Sequence, residues 1–120
     1  MDGPTVPRED FGLYLDMESA MKRLGGNRTV YNTLLKKFLA GNDEEKLISA
    51  LAAGDLAAAT AAAHNIKGVA GNLSLSALSK AGTALLEALR AGEDPGGLPQ
   101  AVYETGAKTV FVIETVLAES

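Results

Sequence analysis

The sequence predicts an all-α fold: an up-down antiparallel four-helix bundle with a short extra N-terminal helix. Three observations point there. Alanine (20) and leucine (17), both strong helix formers, supply almost a third of the 120 residues. Aromatic residues make up only 5% of the chain, too few for an ordinary β-rich core. Apolar positions recur at steps of three and four along four long stretches joined by short links.

In chain order, residues 1–15, with Pro4 and Pro7, read as an extended lead-in, and residues 16–120 as the bundle domain. A short helix is expected from Asp16 to Leu24, with Asp16 as its cap and the Gly25-Gly26 pair as its stop. Asn27 caps a second helix carrying Tyr31, Leu34, Leu35, Phe38 and Leu39. The pattern resumes with Leu47, Ile48 and Leu51 and ends at Gly54, which favours one long helix kinked at Gly41-Asn42-Asp43 over two helices. Asp55 opens a third, running to about Leu73 on a stripe of Leu56, Ala59, Ala63, Ile66, Ala70 and Leu73. Ser74 or Ser76 caps a fourth, whose stripe is Leu75, Leu78, Gly82, Leu85 and Leu89. Glu93 to Gly97 (EDPGG) is a turn. The last helix, Leu98 to Ala118, aligns Leu98, Val102, Thr105, Thr109, Val112 and Val116. Its run Thr109 to Ile113 is β-prone, but a lone strand would have no partner in the chain, so helix is expected.

Charge and composition exclude several functions. Eleven Lys and Arg against fifteen Asp and Glu give a net charge of −4, with no basic excess for a nucleic-acid backbone. Cysteine is absent, so disulfides, thiolate nucleophiles and thiolate metal sites are ruled out, and one histidine makes no histidine metal cluster. The opening MDGPTVPRED has neither a basic region nor an apolar stretch, so no signal peptide is expected. The uncharged runs flanking Lys67 are too short to span a bilayer. A cytoplasmic domain is expected.

One residue carries chemistry. His64 is the sole side chain that titrates naturally near neutrality. On the third helix it falls roughly 130° from the centre of the apolar stripe, on the solvent side. Thr60 lies at i−4, Ala61 at i−3, Lys67 at i+3, Gly68 at i+4 and Gly71 at i+7. Each helical glycine costs about 0.8–1 kcal/mol relative to alanine, which this chain uses freely. Something must approach the helix beside His64: either a neighbouring helix, which would bury the histidine, or another protein, to which it would be presented.

The run Ala63-His64-Asn65-Ile66-Lys67-Gly68, continuing through Asn72-Leu73 and Leu78 to Leu85, Leu86 and Glu87, resembles the histidine-containing phosphotransfer (HPt) domain. Upstream, Leu24-Gly25-Gly26-Asn27, Tyr31, Leu34-Leu35, Phe38 and Ala53-Gly54-Asp55 are also similar, so the resemblance spans about residues 16–118. The chain departs from the family at Ser74, where glycine is usual; Ser74 reads as a helix cap filling the same turn.

The resemblance implies a phosphorelay carrier. It would accept a phosphoryl group on His64, through Nε2, from the phospho-aspartate of a response-regulator receiver domain and pass it to another receiver. Lys67 would stabilise the phosphate, and Gly68, Gly71, Thr60 and Ala61 would form the receiver-docking face. Phosphoryl transfer needs positioning and charge stabilisation more than covalent help, which suits so small a site. No cofactor is implied for this chain, because Mg2+ would sit in the receiver's acidic pocket. No Walker-type loop or second domain for ATP is present, so a monomeric carrier rather than an enzyme is expected, either free or as the cytoplasmic C-terminal module of a membrane-anchored hybrid sensor kinase. Two alternatives stay open. One is a chemotaxis-kinase-type acceptor phosphorylated in trans by an ATP-binding domain. The other is a helical module that binds receivers without transferring phosphate.

Overall fold

The computed structural model describes residues 3–120; Met1 and Asp2, the first residues of the expected lead-in, lie outside them. The described residues form helices joined by short links, with no strand. A 3-10 turn (Arg8–Asp10) precedes seven helices: α1 (Phe11–Tyr14), α2 (Met17–Arg23), α3 (Arg28–Ala40), α4 (Asp43–Ala52), α5 (Leu56–Asn72), α6 (Ser76–Arg90) and α7 (Leu98–Ala118).

The expected caps account for three helix starts. The side chains of Asp16, Asn27 and Asp55 accept hydrogen bonds from the backbone N–H groups of Ser19 (3.1 Å), Val30 (3.0 Å) and Ala58 (3.0 Å). The last helix spans the expected residues, and its β-branched run is core: Thr109, Val112 and Ile113 are fully buried. Tertiary packing overrides the local strand preference there.

Four expectations need correction. The stretch from Asn27 to Gly54 is two helices, not one kinked helix. Gly41 takes an extended backbone (φ −75°, ψ 167°) and Asn42 leaves the helical region, so α3 stops at Ala40. The missed signal is the run Asp43-Glu44-Glu45, three carboxylates placed where the N-terminal end of a helix dipole favours them. Neither Ser74 nor Ser76 caps α6, whose N-cap is Leu75 with no side-chain cap bond. Ser74 instead terminates α5. It adopts a left-handed φ of 59°, so that its N–H reaches the Gly71 carbonyl (3.2 Å) and the Leu75 N–H reaches that of Ala70 (2.8 Å). Gly54 ends α4 with the same pair of bonds, which explains why glycine is the ordinary choice at such a turn. Leu56, read as core, is the first residue of α5 and is 60% exposed at the helix tip. Finally, the lead-in is not extended throughout. It turns at Arg8–Asp10, forms α1 and buries Val6 and Leu15.

Helices α4 to α7 form the body. α5 packs along α4 on one side and α6 on the other, α6 packs on α7, and α7 returns to touch α4. The facing residues of α5 are small: Ala59, Ala62, Ala63 and Ala70 are buried beside Ile66. Alanine there lets two neighbouring helices come close. The larger volume comes from Leu75, Leu78, Leu85 and Leu86 on the α6 side and Val102, Val112 and Ile113 of α7. α3 is anchored at one end by Tyr31, whose buried hydroxyl donates to the Leu73 carbonyl at the end of α5 (2.6 Å). Burial pushes that phenol up to about 12; nearby Arg28 lowers it and Asp16 raises it. At the termini, Phe11 meets Phe111 edge to face (6.3 Å between centroids), while Arg8 lies over the Phe11 ring and pairs with Glu119 through both carboxylate oxygens.

Candidate functional site

The site is built on α5, which packs between α4 and α6. Its buried positions fix the rotation, and the opposite face is left to solvent. Ala57, Ala61, His64, Asn65 and Gly68 are all exposed there, so apart from Asn65 the imidazole stands among residues with little or no side chain. Among the described residues, His64 makes no side-chain hydrogen bond, and neither ring nitrogen is engaged. Thr60 is half-buried and turns its hydroxyl back to the Leu56 carbonyl (2.7 Å), where it satisfies its own helix.

Lys67 is half-buried on the side of α5 facing α6 and forms no ion pair among the described residues, so no carboxylate neutralises its ammonium. Its backbone is held from the α6 side. A Cβ placed on Gly82 would come within 3.3 Å of the Lys67 nitrogen, 3.4 Å of its Cα and 3.4 Å of the Ile66 side chain. Gly82 is therefore the residue that lets the two helix backbones approach at the level of Lys67.

That contact separates the glycines by cause. A Cβ on Gly68 would meet nothing within 4 Å, so no neighbouring helix requires that glycine. A Cβ on Gly71 would rest 3.7 Å from the Ser79 hydroxyl, an ordinary contact, and Gly71 is half-buried toward α6. The structure thus brings Ala61, His64 and Gly68 onto one open face, flanked by Thr60, Lys67 and Gly71 at its α6 edge. Sequence reasoning placed Gly82 on the apolar stripe but did not assign it the close approach. Nothing short of the α5–α6 packing could have done so.

Among the described residues, no group of three or more histidine and carboxylate side chains converges as metal ligands would. No described helix is long and apolar enough to cross a membrane.

A lone exposed histidine followed at i+3 and i+4 by lysine and an unobstructed glycine, on a helix held between two others, is the arrangement the sequence motif implied. Residues 34–110, well over half of the chain, match the family model of the Hpt domain. The chain belongs to the Hpt domain family. Neither a curated protein nor a solved structure matches it. Hpt domains act in phosphotransfer within two-component signalling, with response-regulator receiver domains as partners, and are in general carriers rather than catalytic enzymes. The matched segment runs from Leu34 on α3 to Val110 on α7 and so contains all of α4, α5 and α6.

Proposed function

We propose that His64 is the phosphoryl acceptor of this Hpt domain and that the chain relays phosphate between two receiver domains. The observation that carries the reading is the exposed, uncommitted imidazole beside Gly68, where a side chain would find open space and the protein provides none. A receiver's aspartyl phosphate must come in line with Nε2, and bare backbone one turn away leaves room for the loops that present it. In the transfer, the bond from phosphorus to the aspartyl oxygen breaks as the bond from Nε2 to phosphorus forms. The aspartate leaves as a carboxylate with the electron pair of the broken bond. Return transfer to a second receiver reverses these steps.

Lys67 offsets the charge of the phosphorylated ring. It is one turn from His64, it has no carboxylate partner among the described residues, and the Gly82 contact fixes its backbone. Gly68, Ala61 and the edge residues Thr60 and Gly71 form the docking face. Mg2+ belongs to the receiver's acidic pocket. We read α4 to α7 as an up-down bundle, because consecutive helices pack on one another across short links. The domain works as a monomer in the cytoplasm. Mass spectrometry after mixing with a phosphorylated receiver domain tests the proposal. One added phosphoryl group on His64 supports it, and an unmodified chain beside a dephosphorylated receiver contradicts it.

A further inference from the structure

One concavity lies away from His64. A groove of about 710 Å3 opens between α3, α4, α5 and α7. Its α5 wall includes Val69, roughly 140° around the helix from His64. Leu34 and Phe38 line it from α3, Ile48 from α4 and Tyr103 from α7. Ile48 (47% exposed), Val69 (37%) and Tyr103 (50%) are half of the large apolar side chains that stand exposed among the described residues, so the apolar lining continues onto the rim.

One carboxylate in the groove is turned inward. Glu44, in the first turn of α4, turns inward until its carboxylate occupies the space that a Cβ on Gly106 of α7 would fill. Among the described residues it forms no ion pair and no side-chain hydrogen bond. Burial pushes its carboxyl up from the usual range. Asp43 and Glu45 beside it and Lys37 on α3 complete the charged lining, three carboxylates against one ammonium. The helix dipole accounts for acidic residues in that turn, but not for one turned between two helices.

We propose that this groove receives the apolar face of an amphipathic helix from a partner protein, with a lysine or arginine beside that face pairing with Glu44. Side chains at i, i+3, i+4 and i+7 of such a helix would enter between α3 and α5, the general mode of helix-in-groove recognition. The open, apolar rim favours a helix over a small molecule, whose pockets enclose most of the ligand. The proposal goes beyond phosphotransfer, because a helix seated here lies on a different side of α5 from the imidazole.

The test uses two designed helical peptides with leucine at i, i+3, i+4 and i+7 and either lysine or glutamate beside that stripe, titrated into the isotopically labelled domain. The lysine peptide is expected to shift the methyl signals of Leu34, Ile48 and Val69 saturably and to leave the His64 ring signals in place. The glutamate twin binds at least about tenfold more weakly, as like charge at a desolvated site requires. Glu44→Gln weakens the preference for lysine, leaving only what Asp43 and Glu45 contribute. Ile48→Asp, a change at an exposed position, abolishes binding with the melting temperature retained. Absence of saturable shifts with either peptide, shifts confined to other surfaces, or a lysine preference that Glu44→Gln leaves undiminished would overturn the proposal. No readout involves phosphate, so failure here leaves the reading of His64 untouched.

Discussion

Gly68 offers a perturbation whose two effects have opposite signs. Nothing lies within 4 Å of a Cβ built at that position, so substitution meets no steric penalty in the isolated domain. Alanine in a helix interior is better than glycine by about 0.8–1 kcal/mol, and glutamine by somewhat less, about 0.5 kcal/mol. Unfolding entropy scales with length, and for 120 residues it is about 0.25 kcal/mol/K near the melting temperature. Gly68→Ala should therefore raise the melting temperature by about 3–4 °C and Gly68→Gln by about 2 °C. Transfer should move the other way. Alanine adds one methyl to the docking face and should slow phosphoryl transfer little. Glutamine adds a long side chain one turn from the imidazole and should slow it by more than about tenfold, since misplacement of the reacting groups by an ångström costs on that order or more. Calorimetry and rapid-quench transfer kinetics on the same preparations give both numbers. A lower melting temperature for Gly68→Gln, with transfer per folded molecule unimpaired, would show that the glycine serves internal packing and would refute the docking argument.

Three further outcomes are expected. Lys67→Ala should slow transfer by about tenfold, with a deficit that shrinks at high salt, because one partly screened cation contributes about 1–3 kcal/mol to a charge-rich transition state; stopped-flow rates across a salt series check it, and a rate equal to the wild type removes Lys67 from the mechanism. Gly82→Val should destabilise the domain by about 1–3 kcal/mol in urea melts, because its added carbons run into the Lys67 backbone as well as the Ile66 side chain. Tyr31→Phe should cost about 1 kcal/mol at neutral pH through the lost bond to Leu73. The Tyr31 phenol titrates at about 12 in the folded chain, against about 10 when unfolded, so its proton is held more tightly by the native state. Its stabilisation is complete below pH 10 and is lost as pH climbs from 10 through 12. The Phe variant should lack that part of the alkaline loss in pH-dependent melts.

The parts of the fold legible in the sequence are those set by local chemistry. Asp16, Asn27 and Asp55 announce helix starts because a short side-chain acceptor satisfies N–H groups that nothing else can reach. The run Thr109 to Ile113 was resolved by elimination, since no second strand exists to pair with it. The break at Gly41-Asn42 was missed because the apolar spacing continues across it, and only the three acids that follow mark a new N-terminus. Ser74 was misassigned because serine is a common cap. Its left-handed φ, which strains any residue with a Cβ, is set by the α5–α6 turn and by its hydroxyl's bond to the Ser19 hydroxyl (3.2 Å). At the site, the exposure of His64 follows from helical periodicity, whereas the distinct roles of Gly68 and Gly82 depend on where α6 lies. Glu44 and the groove beside it were invisible, because four helices, α3, α4, α5 and α7, build them together.

The central claim is that His64 carries the phosphate, and one measurement addresses it directly. Wild type and His64→Gln are each mixed with a phosphorylated receiver domain, and the intact mass and the acid stability of any modification are recorded. His64 is exposed and forms no side-chain hydrogen bond among the described residues, so the variant should melt within about 0.5 kcal/mol of the wild type, as surface substitutions do. The wild type should gain one acid-labile phosphoryl group and the variant none, both remaining folded. Acid-labile phosphate on the folded variant, or its absence from the wild type while the receiver loses its own to water, would contradict the account.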